Sequence, residues 1–306
     1  MLIDKSGQST YRLIKNEQIL RGIKMRIFTD TACDIPKEYF EEANITALPL
    51  SVEIDGKVYK DVFEMDGPTL YEAIKNGAQP KTSQVSPEAF QKAFEEVAKS
   101  GEEGIYIAFS SELSGTYNTA VMIQNQLLET YPDMKIYTVD SKCASFGQGL
   151  VIKEAVRLRD AGKSAEEVVA GVEAYASKMN HIFTVDDLNF LARGGRVSKT
   201  SALLGGMLNI KPILSVQDGK LVPIDKIRGQ KKAINYMVDF LEKKGGDFSN
   251  KIIGICHSND PQLAETVQNA LQERLSPKGF ETVIIGSVIG SHVGLGTIGI
   301  FFTDAE

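Results

Sequence analysis

From Met25 onward the chain alternates short apolar runs with amphipathic stretches, and this alternation constrains the fold more than any other feature. Strands joined by helices return parallel within one sheet, and such a sheet buries both faces under helices. Apolar runs at 26–30, 104–109 and 135–140 read as its strands. Between the first two, Asp34 is expected to cap a helix near 36–43 with Pro36 in its first turn. Leu48, Leu50, Val52 and Ile54 alternate as a strand that ends at the hairpin signal Asp55-Gly56. Ser86-Pro87 opens a helix that runs to about Ser100 and stops at Gly101, and a long helix spans about Ser114 to Tyr131. Two more helices follow Asp140, the second opened by the capping box Ser164 to Glu167.

After Met179 the pattern changes. Strands are expected at 181–185, 209–216 and 221–226, the last two joined at Asp218-Gly219. A helix at 229–244, a strand at 251–257, a helix at 261–275 and strands at 281–286 and 297–303 complete the chain. A hairpin among crossovers implies a mixed sheet. The fold class is therefore two α/β domains, the first three-layered around a parallel sheet and the second built on a mixed one. The expected domains are 25–178 and 179–306. Residues 1–24 lack strand-like alternation and read as a leader or extension outside the core, although Tyr11–Arg21 can form an appended helix.

Bulk properties exclude several classes. At 306 residues the chain exceeds the ~250–300 at which single cores stop growing, consistent with two domains. A net charge of −6 argues against general nucleic-acid binding. No apolar run reaches the ~20 residues of a membrane span. Cys33, Cys143 and Cys256 lack CxxC spacing and read as reduced thiols of a cytoplasmic protein.

Three distant stretches combine small residues with hydroxyls or an imidazole: Lys81 to Pro87, Ser110 to Thr116 and Gly290 to Gly296. Ser114, Gly115 and Thr116 lie where a strand feeds a helix, so backbone N–H groups and the positive helix end converge there. Ser114 can cap that helix or hold an anion. Ser86 is the better cap of its helix, which leaves Thr82 and Ser83 without a structural task; Gln84 can orient either neighbour. His292 sits in what reads as a glycine-dense turn between two apolar strands, with Gly294 beside it, a setting that permits close backbone approach. His181 and His257 read as structural. Together the stretches describe a pocket for an anionic head group, without metal or cofactor.

Two cationic stretches stand out in an acidic chain, Arg193 to Lys199 and Lys226 to Lys232. They read either as solvated surface or as a docking face for an acidic partner, with Arg196, Lys226, Arg228, Lys231 and Lys232 as its members. A rival function is a Ser/His acyl hydrolase with Ser114 as nucleophile, His292 as base and Asp140 or Asp186 as orienter. Against it, Leu113-Ser114-Gly115 lacks the Gly-x-Ser-x-Gly elbow. A small-molecule sensor is a third reading.

These motifs resemble the signature of the DegV family from Met25 to Asp304. Its opening motif corresponds to Asp30-Thr31-Ala32-Cys33-Asp34, its Thr-Ser-Gln-Pro-Ser to Thr82-Ser83-Gln84-Val85-Ser86, and its Ser-Ser-x-Leu-Ser-Gly-Thr to Ser110–Thr116. Its Gly-Gly-Arg turn corresponds to Gly194-Gly195-Arg196, and its Gly-x-His-x-Gly-x-Gly to Gly290–Gly296. Val85 and Leu295 replace residues that are commonly proline. The resemblance implies a non-catalytic carrier of one long-chain fatty acid such as palmitate, stearate or oleate, with the carboxylate held by Thr82, Ser114 and His292. It also implies a partner: FakB-type relatives present the acid to a separate ATP-dependent kinase subunit, FakA, for acyl-phosphate formation in phospholipid synthesis. A monomer suits that role, since the pocket mouth must face the kinase. Phe28, Phe109, Ile107, Met122 and Leu204 are candidates to line an acyl tunnel.

Elementary energetics agree. Burying about 14 methylenes at ~0.8 kcal/mol each contributes ~11 kcal/mol, against an estimated 4–15 kcal/mol for association and ordering. The carboxylate must therefore find protein donors, or its desolvation cancels the gain.

Overall fold

The computed structural model describes residues 25–197 and 209–304. The expected extension at 1–24, with its helix at Tyr11–Arg21, lies outside the described residues, as do Ser198, Lys199 and Leu204.

A parallel four-stranded sheet runs in the order β2 (Ile45–Leu48), β1 (Met25–Asp30), β6 (Glu103–Ala108), β7 (Lys135–Asp140). Strand alternation divides its side chains between two cores. Ile27, Ile105 and Ile107 face helices α5 (Phe146–Asp160) and α6 (Ala165–Ser177), while Phe28, Tyr106 and Ala108 face α3 (Pro87–Ser100) and α4 (Thr116–Thr130). The second core holds an aromatic cluster, in which Phe90 meets Tyr106 edge-on at 5.1 Å and Phe28 meets Phe94 at 6.0 Å. Sequence signals set the helix ends: Ser86 accepts from Ala89 N at α3, and Ser164 and Glu167 form the capping box of α6. The three-layer expectation holds.

A small antiparallel sheet, β4 (Lys57–Lys60), β3 (Ser51–Ile54), β5 (Lys81–Ser83), was not foreseen beyond its hairpin, nor was α2 (Gly67–Lys75). Asp55 and Gly56, at φ 51° and 79°, make the left-handed two-residue turn that their identities predict.

The strands from Met179 on form one mixed sheet in the order β10 (Lys220–Arg228), β9 (Ile210–Gln217), β8 (Met179–Thr184), β13 (Ile298–Thr303), β11 (Ile252–His257), β12 (Gly279–Ile284). Only β11 and β12 run parallel. One face packs Ile182, Ile255 and Ile300 on α8 (Gln230–Gly245) and α9 (Pro261–Leu275). The other face turns Cys256 and Phe301 toward the first unit. Two short helices, α7 (Leu188–Arg193) and α10 (Ser287–Val293), pack against each other. All three cysteines are free and buried.

Asp34 is not the helix cap that its position predicts. Pro36 occupies the N-cap of α1 (Lys37–Glu42) without a side-chain bond, and Asp34 adopts a left-handed conformation that aims its carboxyl inward. Asp30 is likewise buried at the end of β1, accepting from Tyr106 OH and Phe109 N, both at 2.8 Å, and from Ala32 N at 3.2 Å. Desolvation raises its pKa despite these bonds. Tyr106→Phe deletes the hydroxyl donor while keeping the ring, and is expected to lower stability by roughly 1–3 kcal/mol in urea unfolding, as loss of a bond to a buried charged group does. An unchanged midpoint would mean that the backbone donors alone satisfy Asp30.

Candidate functional site

A cavity of about 270 Å³ lies between the two units, just below the roughly 300–1,000 Å³ typical of ligand pockets. Its mouth gathers Thr82, Ser83, Gln84, Ser114, Gly115 and Arg196. Its walls are apolar and come from both sides: Leu50, Phe109 and Leu113 from the first unit, Val216, Leu221 and Phe301 from the second. None of the lining residues is Asp or Glu.

Each mouth residue is positioned by a specific local device. Thr82 is the centre of β5, paired opposite Val52, and its side chain points away from that of exposed Lys81. Ser114 closes the loop between β6 and α4, where its hydroxyl lies 2.8 Å from that of Thr116 and accepts from Thr116 N at 3.3 Å. Thr116 itself is fully buried outside the cavity and serves as a support. The N-cap position of α4 is Gly115, which has no side-chain cap; Ser114 stands one residue earlier, where its hydroxyl tethers the helix start and faces the cavity. Gln84 donates from Nε2 to Thr119 Oγ1 at 2.6 Å, which anchors it to the same helix.

His292 does not lie in a turn. It occupies the last turn of α10, a seven-residue helix ended by Gly294 at φ 70°. Its Nε2 is 2.8 Å from Thr82 Oγ1, a bond between residues 210 apart in the chain. Its ring packs on Gly194, where an added Cβ would collide with Nδ1, so a larger residue there would push the imidazole aside. Gly294 is outside the cavity lining and acts as the helix stop.

Arg196, expected on a docking face, stands at the cavity mouth. The turn at Gly195, with φ 74°, folds the side chain back over the mouth, where Nε donates to Leu113 O at 3.0 Å and a second nitrogen donates to Gly194 O. It is half-buried and lines the cavity, so the mouth carries a cation beside its hydroxyls. Lys226, Arg228, Lys231 and Lys232 are exposed on β10 and the start of α8, away from the cavity lining.

The deep end was missed. His181, expected to be structural, lines it together with Ser145 and Cys256. Its Nε2 accepts from Ala144 N at 3.1 Å, which places the ring proton on Nδ1, and burial pushes its pKa down to about 4. His257 is structural, with Nδ1 accepting from Asp260 N at 2.9 Å. Of the tunnel candidates, Phe109 lines the cavity, Phe28 and Ile107 are core, and Met122 is 46% exposed. Strand alternation, read for the facing layers, could have separated these.

A Ser-His-acid relay is not assembled. Nε2 of His292 is engaged by Thr82 and not by Ser114; Asp140 accepts from Ser111, and Asp186 pairs with Lys211. Burial, and secondarily the charge of Arg196, push the His292 imidazole down to about 4. Because the unfolded chain binds this proton more readily than the folded one, stability falls as pH drops from 6.5 toward 4. In an NMR titration of ligand-free protein, His292 should stay neutral to about pH 4, and Arg196→Gln should raise its midpoint while leaving it below 6.5. A wild-type midpoint at or above 6.5 would contradict the desolvated setting.

Comparison with known proteins places this architecture. The DegV family model matches residues 24–305. A DegV domain-containing protein of Clostridium perfringens is 41% identical over 282 residues, 91% of this chain and 97% of that one. Among solved structures, a fatty-acid-binding DegV family protein from Thermus thermophilus superposes with a TM-score of 0.83 at 28% identity, covering 92% of this chain and 99% of that one. A stearic-acid-binding protein from Eubacterium ventriosum also gives a TM-score of 0.83 at 28% identity, covering 92% and 98%. The matched span takes in all three sheets and every segment of the cavity, and the chain belongs to the DegV family.

Proposed function

We propose that this protein binds one long-chain fatty acid in the cavity between its two units and carries it without catalysing a reaction of its own. The observation that carries this reading is the polarity of the cavity: hydroxyls, an imidazole and a guanidinium at a partly exposed mouth, and aromatic and aliphatic walls behind them. The carboxylate sits among Thr82, Ser114 and His292, with the N-terminal N–H groups of α4 beside it and Ser83 and Gly115 at the rim. The acyl chain, of the palmitate, stearate or oleate class, runs inward past Phe109 and Leu221. The fatty acids in the Thermus and Eubacterium relatives support the ligand class. The two units, 25–178 and 179–306, act as domains that clasp the ligand.

The chemistry of the mouth suits an anion that must later react. Hydroxyl donors and a neutral imidazole solvate a carboxylate oxygen without fixing it in a bidentate clamp. Arg196 neutralises the charge, tied as it is to two backbone carbonyls. The carboxylate in turn favours the protonated form of His292, so loading raises a pKa that burial otherwise holds down. In the FakB-type reading the protein works in the cytoplasm as a monomer. It presents the head group to a separate ATP-dependent kinase subunit, and acyl phosphate leaves for phospholipid synthesis. The exposed cations Lys226, Arg228, Lys231 and Lys232 steer that encounter. Among the described residues no helix is long and apolar enough to cross a membrane, and no group of His, Cys, Asp and Glu could hold a metal ion.

Organic extraction of protein purified from bacteria should release about one equivalent of fatty acid by mass spectrometry. Thr82→Ala and Ser114→Ala should each weaken rebinding by roughly 1–3 kcal/mol. Protein that carries no acyl species and takes up neither palmitate nor oleate would refute the carrier reading. The kinase step has its own test: Arg228→Glu should leave fatty-acid content unchanged but slow acyl-phosphate formation with a FakA-type subunit and ATP, most visibly at low salt. Equal rates for variant and wild type would return these cations to plain solvated surface.

A further inference from the structure

The helix that supplies His292 is held at its other end by the first unit. Four of its seven residues, Val288, Ile289, His292 and Val293, line the cavity. Gly286 at its N-cap offers no side chain to its first N–H groups. Instead Asp61 Oδ1, 226 residues away in sequence, accepts from Ser287 N at 3.1 Å, Ser287 Oγ at 2.6 Å and Val288 N at 3.3 Å. Asp34 Oδ1 takes Gly286 N at 2.9 Å, while its Oδ2 accepts from Ser145, a cavity residue.

Asp61 Oδ1 accepts its hydrogen bonds from the start of α10. The residue is 1% exposed, its second oxygen has no partner among the described residues, and Tyr71 OH nearby also lacks one. Desolvation raises its pKa, so burial is costly. The next residue, Val62, is β-branched yet sits at φ 67°, a strained conformation that persists only where surroundings over-determine it. Desolvation and strain together place this carboxylate at the start of α10. One turn of helix rises about 5.4 Å, so Ser287 and His292 are rigidly linked, and any slide of α10 would separate His292 from Thr82.

We propose that Asp61 is a positioning residue of the head-group site: fixed in the first unit, its carboxylate holds the first turn of α10 and thereby sets where His292 meets Thr82. This rests on the fatty-acid reading above. A purely structural Asp61 would weaken every ligand alike; a positioning Asp61 weakens only those that use His292.

The test is a double-mutant cycle on the full chain, with palmitic acid and hexadecanol as paired ligands. Asp61→Ala should lower palmitate affinity about as much as His292→Ala, roughly tenfold, a factor worth ~1.4 kcal/mol, while hexadecanol affinity changes less than about twofold. The double variant should bind palmitate no more weakly than His292→Ala alone. Asp61→Asn, whose amide oxygen can accept the same bonds, should restore binding; if Asp61→Ala fails to fold, Ser287→Ala takes its place in the cycle. Additive losses, or equal losses for acid and alcohol, would overturn the positioning role while leaving the carboxylate site standing. Palmitate binding unaffected by His292→Ala would remove the head-group reading itself, and this inference with it.

Discussion

Buried carboxyl groups organise this molecule, and each is fed by donors from a distant segment of the chain. Withdrawing a carboxylate from water costs several kcal/mol unless donors replace the lost solvent. Asp30 draws in the loop that leads to Ser114 through Phe109 N. Asp34 draws in Gly286 and Ser145, and Asp61 draws in Ser287 and Val288. Asp30 and Asp34 of the opening motif form, with Asp61, a hub that ties together segments of the cavity, although none of the three lines it. Their pKa values are all raised, that of Asp34 to about 8, with burial as the main cause. A carboxyl whose folded pKa lies above its unfolded value weakens the fold as pH rises between the two. The hub thus gives up stability at neutral pH in exchange for geometry.

The mouth of the cavity shows a balance of a different kind. Hydroxyls and an imidazole give direction without net charge, and Arg196 supplies charge while its own bonds to backbone carbonyls restrict its reach. The second unit closes the cavity through the β9–β10 hairpin, whose tip is fastened where Ser110 Oγ donates to Gly219 O at 2.8 Å and Lys220 pairs with Glu112 at 3.4 Å. The motif that carries Ser114 therefore holds the hairpin as well.

Elements set by local chemistry were legible in the sequence. The parallel sheet, the turns at Asp55-Gly56 and Asp218-Gly219, and the caps at Ser86 and Ser164 follow from rules that act within a few residues. The groups that converge at the mouth were legible as surplus hydroxyls and a histidine among glycines. Elements set by distant packing were not. Helix α10 reads as a turn because glycine disfavours helix, yet a Cβ at Gly290 would lie 2.8 Å from Tyr71 OH, so the glycine answers to a neighbour more than 200 residues away. Arg196 reads as surface because its cationic neighbours do, and only the turn at Gly195 sends it inward. Asp34 reads as a cap because its partners, Ser145 and Gly286, lie 111 and 252 residues away.

The position of β13 has a consequence for how the protein is made. It follows every other strand of the described chain in sequence, yet it lies in the interior of its sheet, between β8 and β11. Until it emerges from the ribosome, β8 and β11 have no shared neighbour and the apolar face beneath α8 and α9 is incomplete. Pairing across such separations is slow because loop closure precedes any gain from contact. The segment just ahead of it carries His292, so the cavity and the second sheet reach completion within the same few residues of synthesis. Before that segment is made, the apolar surface that β8 and β11 turn toward the first unit stays incomplete.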